Sequence, residues 1–277
     1  MKKAGTIVLC LLILLVTVQY VEQGKVDNVE SFDQIEPMIT YATNGVAVLG
    51  YHHLLPDNIN KKYRKKSITL SLETFEEQMQ LLYENGYSSL TMEELSEYLD
   101  GNIAVPEKSV VLTFDDGYLS NYIYAYPILK KYGFRATVFV ITGMVMDKTE
   151  ELNSKRLNFI GWDQIHQYGD VFEHGGHTHN LHYVTGSYSH LVSSPKRKII
   201  ADLKKSQDLL QTEYFAYPYG QYNDKVIDAL KETGYKMAFT TNPGRVFPGD
   251  DLYRLGRLCI DRKTTMNMFK DYVGIVE

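Results

Sequence analysis

From Val46 onward, short apolar segments alternate with longer amphipathic ones along most of the chain. Short runs rich in β-branched and aromatic residues are typical of buried strands, whereas apolar residues three and four positions apart are typical of helices. Helix start signals stand at Ser71 and at Thr91, where a capping box follows. Strands are predicted at 46–51, 110–114, 136–141, 171–175, 214–217, 236–240 and 255–260, with helices between them that include 121–132, 196–211 and 225–233. Repeated strand-then-helix units predict an α/β protein, a single distorted (β/α) barrel of about seven parallel strands.

The N-terminus has a different character. Lys2 and Lys3 precede an apolar run from Thr6 to Val21, which is the pattern of an export signal. Because no small-residue cleavage site follows, we expect an uncleaved signal anchor at 1–21, with a removed signal peptide as the alternative. Residues 22–43 are polar and without pattern, which predicts a linker, and the folded domain should occupy 44–277. The amino-side lysines predict a location on the extracellular face of the membrane, or at the cell surface if the chain is secreted.

Composition excludes several classes of function. The formal net charge is -5 and no basic block is present, so nothing would attract nucleic acid. No glycine-rich phosphate loop follows a predicted strand, which argues against a nucleotide site. The only cysteines are Cys10 and Cys259, which excludes a disulfide framework and a cysteine-held zinc ion. Any metal must therefore be bound by histidine and carboxylate, and no feature predicts an obligate protein partner.

Two adjacent carboxylates, Asp115 and Asp116, directly follow the apolar run 110–114. They stand where a buried parallel strand meets its loop, which is the catalytic edge of an α/β barrel. Two ionised carboxylates side by side repel each other, unless a cation neutralises one of them or one binds a proton. Asp-Asp-Gly is also good turn chemistry, and taken alone the dipeptide is more typical of a turn.

Four histidines lie within nine residues, His174–His182, at the end of the predicted strand 171–175 and just after it. This density favours a metal site. His177 and His182 are five positions apart, so they face different directions on a regular helix or strand and can converge only across a loop. Gly175 and Gly176 would give such a loop its backbone freedom. Alternatively, His177 and His179 could share one face of an extended segment.

Three motifs together resemble the polysaccharide deacetylases of carbohydrate esterase family four, over about residues 44–270. They are Thr-Phe-Asp-Asp-Gly at 113–117, which is the most specific, the histidine cluster, and Ala-Tyr-Pro-Tyr-Gly at 216–220. The resemblance implies that Asp115 is the general base and that Asp116, His177 and His182 bind one divalent metal ion. Zinc is the default, and iron, cobalt or nickel suit the same ligands. It also implies that the backbone N–H of Tyr219 binds the oxyanion formed when water attacks an N-acetyl group.

Within that family, the spacing of His177 and His182 and the phrase His-Thr-His-Asn-Leu-His are similar to the branch that acts on poly-β-1,6-N-acetyl-D-glucosamine in biofilms. The implied partner is therefore an N-acetylglucosamine polymer. The residues expected at the substrate are Tyr217, Pro218, Tyr219 and Arg257, with His52 also at the catalytic centre. Alternative functions are deacetylation of peptidoglycan or chitin oligomers and a catalytically impaired carbohydrate-binding module. A glycoside hydrolase is disfavoured, because it needs two carboxylates about 5–10 Å apart across the bond.

Two departures from the family pattern concern the acid and base groups. Ala216 stands where an arginine usually orients the base, and the last predicted strand lacks the histidine that often serves as acid. The leaving amine must nevertheless gain a proton. The candidates are His52, His179 and Asp115 itself. We expect Asp115 to serve as both base and acid, with His52 contacting substrate or acting electrostatically.

Overall fold

The computed structural model describes residues 41–276. The predicted anchor at 1–21 and most of the predicted linker lie outside the described residues. Across 41–276, no helix combines the length and the apolar character needed to cross a membrane. Tyr41 pairs with Pro106, and the N–H of Ala42 donates to Val105 O at 2.9 Å, so packing contacts begin just before Asn44.

The elements of the described chain agree with the predicted alternation, with bounds that shift by one to three residues. The strands are β1 (Ala47–Tyr51), β2 (His53–Leu55), β3 (Thr69–Ser71), β4 (Ser88–Ser89), β5 (Ser109–Phe114), β6 (Ala136–Val140), β7 (Phe172–Gly176), β8 (Val184–Thr185), β9 (Tyr188–Ser189), β10 (Tyr214–Ala216), β11 (Met237–Phe239) and β12 (Leu258–Cys259). The α-helices are α1 (Leu72–Glu84), α2 (Met92–Leu99), α3 (Tyr126–Tyr132), α4 (His190–Ser193), α5 (Lys196–Leu210), α6 (Asp224–Thr233) and α7 (Met266–Val273).

One parallel sheet organises the domain. Its strand order is β11, β10, β7, β6, β5, β1, β12, and the short β4 also pairs with β5. The two ends of this order approach each other through the segment 252–259. Leu255 exchanges backbone hydrogen bonds with Ala238 and Thr240 at the end of β11, and Leu258 pairs with Leu49 of β1. The predicted distorted (β/α) barrel is therefore confirmed.

Side chains of the central strand β5 alternate between the inside and the outside of the barrel. Val111 packs inside with Phe139 and Phe239, in a cluster to which α2 also contributes. Leu112 and Phe114 pack outside, in the cluster that includes residues of α1 and α3. All six residues of β5 are buried, so the strand end that bears the carboxylates is held rigidly.

The predicted helix 121–132 differs in detail. It begins as a π-helical turn over Asn121–Ala125 and continues as α3. Pro127 in the first turn of α3 has no N–H to donate to the preceding turn, and such interruptions are accommodated by widening the helix. Sequence periodicity also missed the hairpin β8–β9, whose strands are too short to show an alternation, and the last helix, α7.

Candidate active site

Asp115 and Asp116 lie at the carboxyl end of β5, at the edge of the sheet where catalytic groups of parallel barrels are found. The N–H of Asp115 donates to Tyr51 O at 2.9 Å, which extends the pairing of β5 with β1. Asp116 then adopts the left-handed region with φ 76°. This turn sends the two side chains to different partners. The adjacent carboxylates therefore do not form the facing pair that glycoside hydrolysis requires.

Asp115 forms a buried ion pair with Arg257, which comes from the segment leading into β12. The guanidinium Nη1 donates to Oδ1 and Nη2 donates to Oδ2, both at 2.7 Å. Further bonds run from Nη1 to Thr113 Oγ1 at 3.2 Å and from Nε to Thr240 O at 3.0 Å. Burial by itself would raise the pKa of Asp115, but the Arg257 guanidinium overrides it and holds that pKa well below its usual range. Asp115 is therefore ionised at neutral pH.

Three of the residues predicted at the substrate lie elsewhere. Arg257 is only 1% exposed, its donors are engaged with Asp115 and neighbouring oxygens, and it does not line the cavity over these groups. Tyr217 is buried and its hydroxyl donates to Tyr253 O, and Pro218 is buried as well. Tyr219, at 49% exposure, is the residue of this motif that faces the cavity, because a left-handed turn with φ 58° rotates it outward.

The role of Arg257 was missed from the sequence, although one signal was available. An arginine within a strand buried on both faces requires a buried acid as its partner. Asp115 and Arg257 are 142 positions apart, so only the closure of the barrel brings them together. Arg257 thus supplies the arginine contact to Asp115 that Ala216 cannot make.

Asp116, His177 and His182, here called the metal triad, converge on one point. His177 Nε2 lies 3.6 Å and His182 Nε2 lies 3.3 Å from Asp116 Oδ1, and the two Nε2 atoms are 3.1 Å apart. Ligand atoms bound tetrahedrally at about 2.0–2.1 Å from zinc lie about 3.3 Å from one another. Within residues 41–276, this is the one cluster of histidine, cysteine and acidic side chains with metal-binding geometry. The set of ligand atoms therefore fits a single divalent ion.

The protonation of His177 also fits a metal ligand. Its Nδ1 lies 2.7 Å from Ala216 O, and a carbonyl can only accept, so Nδ1 carries the proton and Nε2 presents its lone pair. Burial lowers the pKa of His177 to about 4, against the attraction of the Asp115 carboxylate. The imidazole is therefore neutral at pH 7, as metal binding requires.

The histidine loop is shaped differently from the prediction. Gly175 and Gly176 belong to β7, where a Cβ on Gly175 would stand 2.4 Å from the Phe139 ring, so these glycines allow close packing. The turn is made by Thr178, with φ 72°. His179 does not join the metal triad. Its Nδ1 lies 3.0 Å from Thr142 Oγ1, and its backbone N–H donates to Asp202.

Two further side chains border the carboxylates. His52 Nε2 lies 3.8 Å from Asp115 Oδ2, and the side chain keeps 26% of its surface exposed, so it reaches both the base and the cavity. Tyr118 is buried beside Asp116. Burial raises the pKa of Tyr118, and its hydrogen bond to the Asp116 carboxylate raises that pKa further, so the hydroxyl remains a donor to this ligand.

A cavity of about 420 Å³ opens directly over these groups. The metal triad, Asp115 and His52 form its floor, and the walls are mainly apolar and aromatic, with Phe159, Met144, Tyr183 and Tyr219 among them. A few polar groups converging in an apolar cleft is the usual form of a small-ligand site. The arrangement provides an ionised carboxylate, three side chains that could hold a metal ion, and room for one substituent of a larger molecule.

Comparison with known proteins agrees with this geometry. The polysaccharide deacetylase family model matches residues 102–238, which include Asp115 and the metal triad. The poly-β-1,6-N-acetyl-D-glucosamine N-deacetylase of Staphylococcus epidermidis is 30% identical over 254 residues, covering 86% of this chain and 87% of that protein. Among solved structures, IcaB from Ammonifex degensii has a TM-score of 0.71 and 29% identity, covering 85% of this chain and 99% of that one. The Streptococcus pyogenes deacetylase PplD, in complex with acetate, has a TM-score of 0.69 and 28% identity, covering 84% and 99%. This chain belongs to the polysaccharide deacetylase family.

Proposed function

We propose that this protein is a metal-dependent N-deacetylase of poly-β-1,6-N-acetyl-D-glucosamine. Membership of the family makes it a hydrolase of N-acetyl groups on polysaccharides. The observation that carries the proposal is the position of Asp115, ionised by its pairing with Arg257, next to the metal triad on the floor of an open cavity. A pure binding module has no use for an ionised base beside a metal site.

The metal triad would hold the ion, which when bound lowers the pKa of a water molecule and polarises the acetamide carbonyl. Asp115 accepts the proton of the attacking water. Each of its oxygens accepts one bond from Arg257 and retains a second lone pair for this proton. The same pairing that keeps Asp115 ionised also weakens it as a base, so the reaction depends on the acidity of the water.

The leaving amine then takes up a proton. We assign this step to Asp115, which returns the proton that it received. His52 lies beside Asp115 and stabilises its charge or contacts the sugar. The backbone N–H of Tyr219 is assigned to the oxyanion, as the family resemblance implies.

The choice of polymer rests on the resemblance of the histidine motif and on the names of the relatives. The S. epidermidis relative is named for the β-1,6-linked polymer, and its similarity extends along most of both chains. The aromatic walls of the cavity are suited to a neutral sugar ring. We further propose that the apolar N-terminal segment holds the domain at the outer face of the cell membrane, where such a polymer is exported.

The experiment compares acetate release from β-1,6- and β-1,4-linked N-acetylglucosamine oligomers, with zinc-loaded and with chelator-treated protein. We expect release from the β-1,6 oligomers that stops on chelation and returns with added metal. Release from only the β-1,4 oligomers would indicate a peptidoglycan or chitin deacetylase. Shortened oligomers would indicate a glycoside hydrolase. Binding without release would indicate a carbohydrate-binding module.

A further inference from the structure

We propose that a second cleft, beside the catalytic cavity, binds a neighbouring N-acetylglucosamine unit of the same polymer. This hairpin cleft lies between the hairpin β8–β9 with α4 on one side and the segment 220–223 on the other. Its volume is about 540 Å³. The inference deepens the proposed function and rests on it, because the occupant is the polymer whose acetamide lies at the metal triad.

The hairpin cleft lies next to the catalytic cavity, because neighbouring residues of the same segments line the two. Tyr219 lines the catalytic cavity and its ring contacts the His182 ring at 4.7 Å between centroids, while the next residue, Gly220, lines the hairpin cleft. Gly220 also abuts Thr241 of the catalytic cavity so closely that a Cβ would stand 2.0 Å from its hydroxyl oxygen. On the opposite wall, Tyr183 lines the cavity and the hairpin that follows it lines the cleft. A chain leaving the catalytic cavity on this side therefore enters the hairpin cleft.

The chemistry of the cleft suits an uncharged polyhydroxyl ligand. Its lining consists of serine, tyrosine, valine, glycine, glutamine and asparagine, with no charged side chain. Another cleft that adjoins the cavity is different, because it shares Met144 and Phe159 with the cavity but also contains the ion pair of Glu150 and Arg156. A neutral sugar would bind less favourably there, because covering the ion pair would remove water from both charges.

Both walls of the hairpin cleft are held in place before any ligand arrives. The Gln221 carboxamide accepts from Ser189 N–H at 2.7 Å and donates to Ser187 O at 3.0 Å, which ties the hairpin to the opposite wall. Asn223 Nδ2 donates to Val192 O at 3.3 Å, which adds a second tie. A site with fixed walls loses less conformational entropy on binding. Gln221 is therefore a positioning residue for this cleft.

Two tyrosines supply stacking surfaces. Tyr188, the first residue of β9 after the hairpin turn, is 68% exposed although it is a large aromatic residue. Tyr222 lies nearly parallel to the buried Tyr217 ring, with centroids 5.1 Å apart, so one face is supported by the protein. Aromatic rings presented around a neutral concave surface offer the apolar contact that a sugar ring needs, with hydroxyls at the edge for its polar groups.

The test measures kcat/KM for acetate release from β-1,6-linked dimer and pentamer in the zinc-loaded protein. The parent should prefer the pentamer. Tyr188→Ala should lower the pentamer-to-dimer ratio about tenfold, the equivalent of about 1.4 kcal/mol. Tyr83→Ala is the matched control, because Tyr83 is a 58% exposed tyrosine on α1 that lines neither cavity, and its ratio should equal that of the parent. Gln221→Ala should raise KM for the pentamer and leave kcat unchanged.

A second measurement separates binding from turnover. Calorimetry of pentamer binding to Asp115→Asn, with and without Tyr188→Ala, should give a Kd about tenfold weaker for the double variant. If the parent releases acetate and Tyr188→Ala does not alter the pentamer-to-dimer ratio of kcat/KM, the hairpin cleft is not a sugar-binding site, whereas the proposed function is unaffected. A parent that releases no acetate would overturn both. Loss of binding to anionic phospholipid vesicles in Tyr188→Ala, with an unchanged pentamer ratio, would show that the hairpin contacts lipid and would also overturn the proposal.

Discussion

Arg257→Leu tests whether the buried ion pair sets the state of the base. The replacement removes two 2.7 Å bonds to the Asp115 carboxylate and leaves that carboxylate buried with only the His52 imidazole, 3.8 Å away, as a partner. Removing one partner of a buried pair typically costs about 3–5 kcal/mol of unfolding free energy. For a chain of this size, that corresponds to a drop in Tm of about 6–20 °C.

The pH dependence of this stability loss shows whether it arises from the ionisation of Asp115. In the parent, Arg257 keeps the pKa of Asp115 below its usual range, so the stability from this group is present above the unfolded pKa of about 3.9 and is lost as the pH falls through the folded pKa. In Arg257→Leu, only the weaker attractions of His177 and His52 oppose the effect of burial, so the pKa of Asp115 rises above the unfolded value. The folded variant then holds a proton that the unfolded chain releases, so the stability difference from the parent should grow by about 1.4 kcal/mol per pH unit above pH 4, up to the new pKa.

Urea unfolding of the chelator-treated parent and variant between pH 4 and pH 8 measures this difference. The control is Arg254→Leu, which removes surface pairs with Asp251 and Asp224 and should change stability by less than about 1 kcal/mol at every pH. Activity of zinc-loaded Arg257→Leu should fall and its acid limb should move to higher pH. A stability difference that does not change with pH would refute the assignment of Arg257 to the charge of Asp115.

Five shorter predictions concern the remaining groups and the N-terminal segment. Alanine at any position of the metal triad should abolish bound zinc, measured by elemental analysis, whereas His179→Ala should retain it; zinc retained in a triad variant would remove that residue from the ligand set. Asp115→Asn should keep zinc and lose turnover by about 10²–10⁴-fold. If His52→Ala abolishes the alkaline limb of kcat/KM with zinc intact, His52 is the acid and Asp115 is not. Burial lowers the pKa of His174 to about 4, so the folded protein loses stability as the pH falls below the unfolded pKa of about 6.5. Between pH 7 and pH 5, the free energy of unfolding should fall by about 2 kcal/mol more in the parent than in His174→Gln. Equal falls would show that His174 does not cause the acid destabilisation. Terminal sequencing of the mature protein should find the apolar N-terminal segment retained, and a start beyond it would show a removed signal peptide.

Local patterns were sufficient for the seven strands of the barrel, most of the helices and the position of the site. Apolar runs and capping residues act within a few positions of the chain, so the alternation of these strands with helices could be predicted without tertiary information, whereas the hairpin β8–β9 and the helix α7 could not. Asp115 and Asp116 were placed at a strand end for the same reason. The five-residue spacing of His177 and His182 required a loop, and the structure has one, with its turn at Thr178.

The state of each site residue depended on contacts between distant parts of the chain. Arg257 reaches Asp115 across 142 positions, and Gly175 is required because a phenylalanine from the neighbouring strand packs against it. Likewise, Tyr217 and Tyr219 belong to one motif, yet one is buried and the other faces the cavity because of a single left-handed turn. The sequence by itself determined which residue types stand at the strand ends, since periodicity and propensity are local. Only the closed barrel decided their partners, burial and charge, because these depend on which strand ends the packing brings within a few ångströms of one another.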